Sequence, residues 1–263
     1  MPRYFVPALC VCLLTGPGTA GPVETTTPPN PWVQFPIGSW LVIRTKTTSG
    51  GQTAGQRVKL TIVGMEKNRP VVGMAREING QFQTPFRAGR QVNGFWPSQL
   101  GMRLRTTESS SHTIDGRPYH CTVEKYEVED PPHRLIRNLT LWRARQIVVP
   151  YREIVVDRGA NVALMSDVVK AEYRVAVGPR TTTYKLEVLH QDEPLTIGGR
   201  TVKCTLEKAD AVVEGNNERI SIETERWLSS LVPGHVVKTR GVVHTPRGVV
   251  EKEQWVEAFG VTQ

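Results

Sequence analysis

A thiol, a carboxylate and an ammonium group occur together twice in this chain. Cys121 is followed by Glu124 and Lys125, and the same spacing returns 83 residues later. A thiolate can act as a nucleophile or a metal ligand, and a carboxylate or an amine as a general base. The residues belong to a longer repeat, because segments 113–125 and 196–208 agree at eight of thirteen positions. The repeat is therefore both a candidate site and a guide to the fold.

The alternation of side chains along a β-strand separates the cysteine from the glutamate in each copy. Both copies have a β-strand pattern, and neighbouring residues of a strand point to opposite faces. We therefore predict that Cys121 and Cys204 lie on the buried side of their strands. The glutamates Glu124 and Glu207 are predicted on the solvent side. The sequence thus predicts no catalytic residue in the repeat.

The two repeated cysteines allow two structures. Cys121 and Cys204 are the only cysteines beyond the first twenty residues. An even pair in an exported protein favours a disulfide, provided that the two copies bring their Cα atoms within about 7 Å. Alternatively, they are paired buried thiols that pack as small apolar residues. His120 points away from Cys121 along the strand, so no metal site is predicted.

The first twenty residues have the features of a secretory signal. Arg3 precedes an apolar run over residues 4–14, and small residues lead to a cleavage site near Ala20. The run is shorter than the roughly 20 residues that cross a bilayer. Cys10 and Cys12 lack the small preceding residue that favours lipidation. We expect a periplasmic or extracellular protein with no transmembrane segment.

The rest of the chain divides into an arm and two β units. Residues 21–36 are rich in proline and threonine, which favours an extended arm. The repeat predicts a first unit over 37–164 and a second over 165–263. The first has an insertion at about 69–112. We predict an all-β fold of two tandem related units, with antiparallel strands, curved sheets and few short helical turns.

Apolar side chains change face within both cysteine strands. After Cys121 the apolar positions shift parity near Lys125, and after Cys204 they shift near Lys208. A β-bulge near each lysine would explain this change and would bend the sheet. The pattern therefore predicts concave surfaces.

The insertion combines aromatic and arginine side chains. Such surfaces bind planar or anionic ligands through stacking and forked hydrogen bonds. Alternatively, these residues form extra strands that complete the sheet. The candidate ligand-binding residues are Phe82, Phe86, Arg87, Arg90, Phe95 and Trp96.

Each copy also has a tryptophan followed by a Val-Pro pair, and we predict Trp142, Trp227, Pro150 and Pro233 as structural anchors. The second copy, residues 227–238, resembles the Trp-x-x-x-x-(Leu/Val)-Pro segment of bacterial periplasmic proteins with the lipoprotein-carrier fold. The resemblance implies a strongly curved antiparallel sheet whose hollow receives acyl chains or other apolar ligands. The first copy has two extra residues between tryptophan and proline.

Net charge adds a second class of partner. The formal charge is +8, which favours anionic partners such as envelope polymers, although lysines and arginines also cover ordinary strand faces. No cofactor and no nucleic acid partner are predicted. The main hypothesis is an exported, non-catalytic binding or envelope-associated protein with an apolar or amphiphilic ligand in a sheet concavity. The alternatives are a surface module for anionic polymers, and an exported hydrolase without a recognisable motif.

Overall fold

The computed structural model describes residues 31–66, 69–87, 97–130, 135–157, 160–215 and 218–262. In the first half of the chain the strands are β1 (Trp40–Ser49), β2 (Gln52–Glu66), β3 (Arg69–Ile78), β4 (Gln81–Phe82), β5 (Phe86–Arg87), β6 (Arg103–Ile114), β7 (Arg117–Asp130) and β8 (Leu135–Arg143). In the second half they are β9 (Arg152–Asp157), β10 (Ala160–Leu164), β11 (Val168–Val177), β12 (Arg180–Ile197), β13 (Arg200–Gly215), β14 (Glu218–Leu228), β15 (Val236–Thr245) and β16 (Gly248–Gly260). A 3₁₀ turn covers Pro97–Leu100.

Fourteen of these strands form one open antiparallel sheet. Its order is β4-β3-β2-β1-β16-β15-β14-β13-β12-β11-β8-β7-β6, and β5 pairs with β3. The strands β9 and β10 form a separate hairpin. The sequence prediction of an all-β, antiparallel and curved fold is confirmed. The sheet joins the first strand of the chain to the last, because β1 pairs with β16.

The sheet rolls back on itself twice. At the β6–β7 turn, the amide of Asp115 donates to the carbonyl of Leu189 in β12, at 3.2 Å. At the β12–β13 turn, Gly198 lies against β16, where a Cβ added to Gly198 would be 3.4 Å from the carbonyl of Glu257. In both cases three strands of the sheet separate the strands in contact. Each roll encloses an apolar core.

Three groups of buried side chains result from this shape, and each is named here for a member or for the element that covers it. The Cys121 core lies within the first roll: Ile114, Cys121, Ala144, Ile147, Val149, Val169, Val188 and Leu228. The Cys204 core lies within the second roll: Trp32, Phe35, Leu41, Ile62, Val72, Ile197, Val202, Cys204, Leu206, Trp227, Val232, Val237 and Val256. The hairpin core lies between the β9–β10 hairpin and the sheet, and includes Leu139, Leu141, Ile154, Val162, Leu164, Tyr173, Leu186 and Ala209.

These cores correct the bulge prediction. The register shifts do lie close to the two lysines, but they occur on the neighbouring strands β6 and β12, between Leu104 and Thr106 and within 188–193. The apolar positions change parity for another reason. In β7, Cys121 enters its own core from one face, whereas Tyr126 packs against the hairpin core from the other. Opposite faces of one strand are buried at its two ends.

The end of the Pro/Thr-rich arm is part of the fold. Residues 31–36 form turns, and Trp32 and Phe35 are buried in the Cys204 core. The indole of Trp32 lies on Gly234, where an added Cβ would be 2.9 Å from the ring. Gly234 also has a φ of +78°, a conformation that favours glycine. The arm therefore contributes apolar surface to the second roll.

The two cysteines lie in different cores. Cys121 is 0% exposed and Cys204 is 1% exposed, and both are free thiols in the structure. Burial raises the pKa of both thiols, that of Cys204 to about 11. A thiol of this kind stays protonated at neutral pH and packs as a small apolar residue.

Thiol titration under native and unfolding conditions tests this arrangement. We expect neither Cys121 nor Cys204 to react with an aromatic disulfide reagent in the folded protein, because both are buried and protonated. Two thiols should react after denaturation without a reducing agent. A denatured protein with no reactive thiol, and a mass lower by two hydrogens, would show a disulfide instead.

Candidate functional site

The structure contradicts the predicted exposure of the two repeated glutamates. The side chain of Glu207 is 0% exposed and that of Glu124 is 15% exposed. Both point to the face of the sheet that carries the hairpin core, which the β9–β10 hairpin covers. Strand alternation correctly placed each glutamate opposite its cysteine. It did not show that a second layer covers that face.

Glu207 forms the centre of a buried ionic cluster. Its two carboxylate oxygens lie 2.7 Å from Nε of Arg152 and 2.5 Å from Nη2 of Arg226. Nη2 of Arg226 also lies 3.3 Å from the hydroxyl of Tyr184. Arg152 donates a further bond to the carbonyl of Val168. The cluster therefore ties the β9 strand to β11, β13 and β14.

The environment of this cluster favours a structural role. Burial lowers the pKa of Arg152, although an arginine starts so far above neutral that it stays charged. Burial also raises the pKa of Tyr184, which keeps its hydroxyl protonated. Glu207 lies between two guanidinium groups, and both of its carboxylate oxygens are engaged in these ion pairs. The cluster is suited to hold the hairpin and not to transfer protons.

Glu124 has a similar but more accessible environment. Its Oε1 atom lies 3.1 Å from Nη1 of Arg143, and the hydroxyl of Tyr126 donates to its Oε2 atom at 2.8 Å. Burial, followed by the hydrogen bond to Glu124 and the charge of that carboxylate, raises the pKa of Tyr126 to about 12. Arg143 also pairs with Asp167, with 2.9 Å between Nη2 and Oδ2. The thiol and the carboxylate of each copy therefore face opposite sides of the sheet and cannot act together.

The two predicted tryptophan anchors have equivalent neighbours. Trp142 pairs directly with Lys170 across β8 and β11, and the ammonium lies 4.4 Å from the ring centroid. Trp227 pairs directly with Lys238 across β14 and β15, at 5.2 Å. On its other side, each tryptophan pairs with the residue two positions after the repeated cysteine. Each ring thus packs under a lysine by a cation–π contact.

The two Val-Pro loops have matching burial as well. Val149 and Val232 are both buried, one in the Cys121 core and the other in the Cys204 core. Pro150 is half-buried and Pro233 is buried. These loops close one end of each roll.

The described part of the insertion does not form a single surface. Its strands β3, β4 and β5 lie at one end of the sheet, and β6 lies at the other. Phe82 lies under the guanidinium of Arg57 at 5.6 Å, and Phe86, which is 48% exposed, lies under Arg76 at 6.0 Å. The candidate residues Arg90, Phe95 and Trp96 lie outside the described residues, and only the backbone of Arg87 is described.

An apolar hollow opens in the second roll. It has a volume of about 310 Å³ and lies between the end of β12 and the strands β15 and β16. Lys238 and Glu253 stand at its rim, with 3.0 Å between Nζ and Oε1. Its apolar lining is Leu195, Ile197, Val237, Trp255 and Val256. All of these residues lie within 165–263, and the sequence patterns that predicted a concave sheet did not indicate which residues line it.

A polar hollow of about 240 Å³ adjoins the apolar one. Glu253 lines both hollows, which follow one another along β15 and β16, and we call the two together the binding groove. The other side chains at the polar end come from β1, β15 and β16: Lys46, Thr48, Arg240, Val242, Glu251 and Lys252. The groove is therefore apolar at one end and charged at the other.

In the first roll, side-chain contacts fix the corresponding hairpin turn, between β6 and β7, to β12. The carboxylate of Asp115 accepts a bond from the amide of Gln191 at 3.0 Å and lies 2.6 Å from Nδ1 of His190. The bond from the Gln191 amide, together with His190, lowers the pKa of Asp115. Beside this contact Ile114 is fully buried. The residue 83 positions after Asp115 is Gly198, which has no side chain to form this contact.

Groups of side chains that could hold a metal ion are absent from the described part of the chain. Within the same residues, none of the helical structure is long and apolar enough to cross a membrane.

Comparison with known proteins gives only remote likenesses. No family model matches the chain, and no curated protein matches it. Among solved structures, it is similar to a Bacteroides fragilis protein assigned as exported, with a YmcC-like fold: 8% identity, 86% of this chain, 97% of that chain and a TM-score of 0.36. A Parabacteroides distasonis protein assigned as a lipoprotein matches at 7% identity, over 86% of this chain and 96% of that chain, with a TM-score of 0.37. Likenesses at this level do not indicate a function.

Replacement of Glu207 tests the role of the buried cluster. We expect Glu207→Gln to lower the free energy of unfolding by about 3–5 kcal/mol, because it leaves the buried guanidinium of Arg152 and the largely buried one of Arg226 without a carboxylate. Glu124→Gln is the matched control and should cost clearly less, since Glu124 and Arg143 are partly exposed. Urea unfolding followed by tryptophan fluorescence measures both. Equal losses of unfolding free energy for the two variants would contradict the role of Glu207 in holding the β9–β10 hairpin.

Proposed function

We propose that this protein is an exported, non-catalytic binding protein that holds an apolar or amphiphilic ligand in the binding groove. The observation that carries this proposal is the open apolar hollow lined by Leu195, Ile197, Val237, Trp255 and Val256. Apolar surface in a concave site with a few polar groups is the usual form of a small-molecule pocket. Support for export comes from the secretory signal that the sequence predicts, with cleavage near Ala20.

The comparison of the two rolls supports this proposal. The first roll is packed with apolar side chains, among them Ile114 and Val188. In the second roll Ile197 is buried in the same way, but Leu195 and Trp255 are only half-buried where they line the hollow. Leaving apolar surface in contact with water lowers stability by about 25 cal/mol per Å² relative to its burial. An open hollow is therefore easier to explain if a ligand fills it.

The position of the charged side chains supports a non-catalytic function. The cysteine, glutamate and lysine of each copy do not converge, and Glu207 is held between two arginines in a closed cluster. The groove itself is lined by one ion pair, Lys238 with Glu253, and by isolated charges. None of these arrangements pairs a nucleophile with a base.

We also infer that the two rolls arose by duplication of one unit. The support is the equal register of the Trp–Lys pairs, the equal burial of the Val-Pro loops and the equal core position of Cys121 and Cys204. In this view the first roll kept a closed interior, and the second acquired the groove.

Blocking the apolar end of the groove tests the proposed function. Leu195 is half-buried at the edge of the hollow, so Leu195→Trp should fill it without disturbing a fully buried position. We expect the affinity for an apolar fluorescent probe, such as N-phenylnaphthylamine, to fall at least tenfold. Fluorescence titration of the mature protein measures this change.

The control is the same substitution at an exposed leucine. Leu104 in β6 is far from the groove in the sheet order, and Leu104→Trp should bind the probe as the unchanged protein does. Urea unfolding of both variants confirms that they are folded. If the unchanged protein binds no probe, or if Leu195→Trp binds it equally well, the proposed site is wrong.

A further inference from the structure

The binding groove changes from apolar to charged along the direction of its strands. On β16, Val256 and Trp255 line the apolar hollow, while Glu253 and Glu251 line the polar one. A strand rises about 3.3 Å per residue, so Trp255 and Glu251 are about 13 Å apart along β16. A ligand that occupies the whole groove must therefore be apolar at one end and polar at the other.

The boundary between the two ends is already neutral. Lys238 forms an ion pair with Glu253, and its ammonium also lies over the ring of Trp227. These contacts satisfy both charges without a ligand. The boundary is therefore a fixed constriction and not the place where a charged headgroup binds.

Three cations line the polar hollow: Lys46, Arg240 and Lys252. Lys46 and Arg240 are the cross-strand neighbours of Glu253 on β1 and β15, and both are exposed. Within the described residues, neither has a carboxylate at ion-pair distance, because Glu253 is engaged by Lys238. Among the residues that line this hollow, Lys252 adds a third cation and Glu251 is the acid besides Glu253, so the side chains left outside the Lys238–Glu253 pair carry more positive than negative charge and favour an anion. An arginine can bind two oxygens of a phosphate or carboxylate at once.

The size of the apolar end limits the ligand further. A volume of about 310 Å³ is at the lower end of the range for small-molecule pockets, which runs from about 300 to 1,000 Å³. The end of β12, at Leu195 and Ile197, covers this space from one side. One hydrocarbon chain fits such a space better than two.

We propose that the polar hollow is an oxyanion subsite, and that the groove binds a single-chain amphiphile with a carboxylate or phosphate headgroup. The chain lies against Leu195 and Trp255, and the headgroup lies at the exposed ends of Lys46 and Arg240. This proposal rests on the proposed function, and it adds the class of ligand and its direction in the groove.

Competition among ligands with one chain and different headgroups tests the subsite. Palmitate, palmitoyl lysophosphatidic acid and monopalmitin share the hydrocarbon chain, but only the first two are anionic. We expect the anionic ligands to displace the fluorescent probe at concentrations at least tenfold lower than monopalmitin does. Their advantage should shrink as salt rises, because the headgroup contact is partly exposed.

The variant Lys46→Gln with Arg240→Gln should lose this preference and keep its affinity for monopalmitin. The matched control is Lys203→Gln with Arg219→Gln, which removes the same charge from two exposed positions outside the groove. It should keep the preference. A higher affinity for one of the two anionic ligands would support the subsite and identify the headgroup.

Other results would overturn the proposal in distinguishable ways. Equal displacement by all three ligands would reject the oxyanion subsite and leave the proposed function intact. A preference that survives in the Lys46 and Arg240 variant would place the anion elsewhere. Failure of the unchanged protein to bind the probe and all three ligands would reject the proposed function together with the subsite.

Discussion

The burial of two faces of one sheet is the constraint on which this structure depends. A sheet of fourteen strands has two broad surfaces, and its strands are apolar on opposite sides at their two ends. Rolling the sheet buries one side within the two rolls. The β9–β10 hairpin then covers the other side where β7, β8, β11 and β12 pass beneath it. The three cores follow from this arrangement, and so does the concavity of the second roll.

Covering the second face has an electrostatic consequence. Glu207 lies on a strand that would carry a solvated carboxylate if the sheet had only one buried side. The hairpin removes that solvent and supplies Arg152, while the next strand supplies Arg226. A buried ionic group of this kind adds little net stability but is costly to break. It therefore favours one position of the hairpin over others, which keeps the sheet beneath it in a fixed curvature.

Sequence patterns predicted the turns and the faces of the strands better than they predicted how the hairpin covers the sheet. Asp115-Gly116 and Gly198-Gly199 marked turns that the structure contains, and alternation placed Cys121 and Cys204 on buried faces. The same alternation could not show what lies above Glu207, because the hairpin that covers it comes from a different part of the chain. The position of the groove could not be predicted from the sequence for a related reason. Its walls meet only where the end of β12 folds back onto β16.

One side chain distinguishes the two hairpin tips. Asp115 holds the first hairpin tip to His190 and Gln191, and it brings Ile114 into a filled core. Gly198 has no side chain to form such contacts and lies against the backbone of β16 at Glu257 and Ala258. The repeat therefore keeps the position of the tip and the burial of the isoleucine before it, Ile114 or Ile197, while the contact that the tip makes changes from a carboxylate to the backbone.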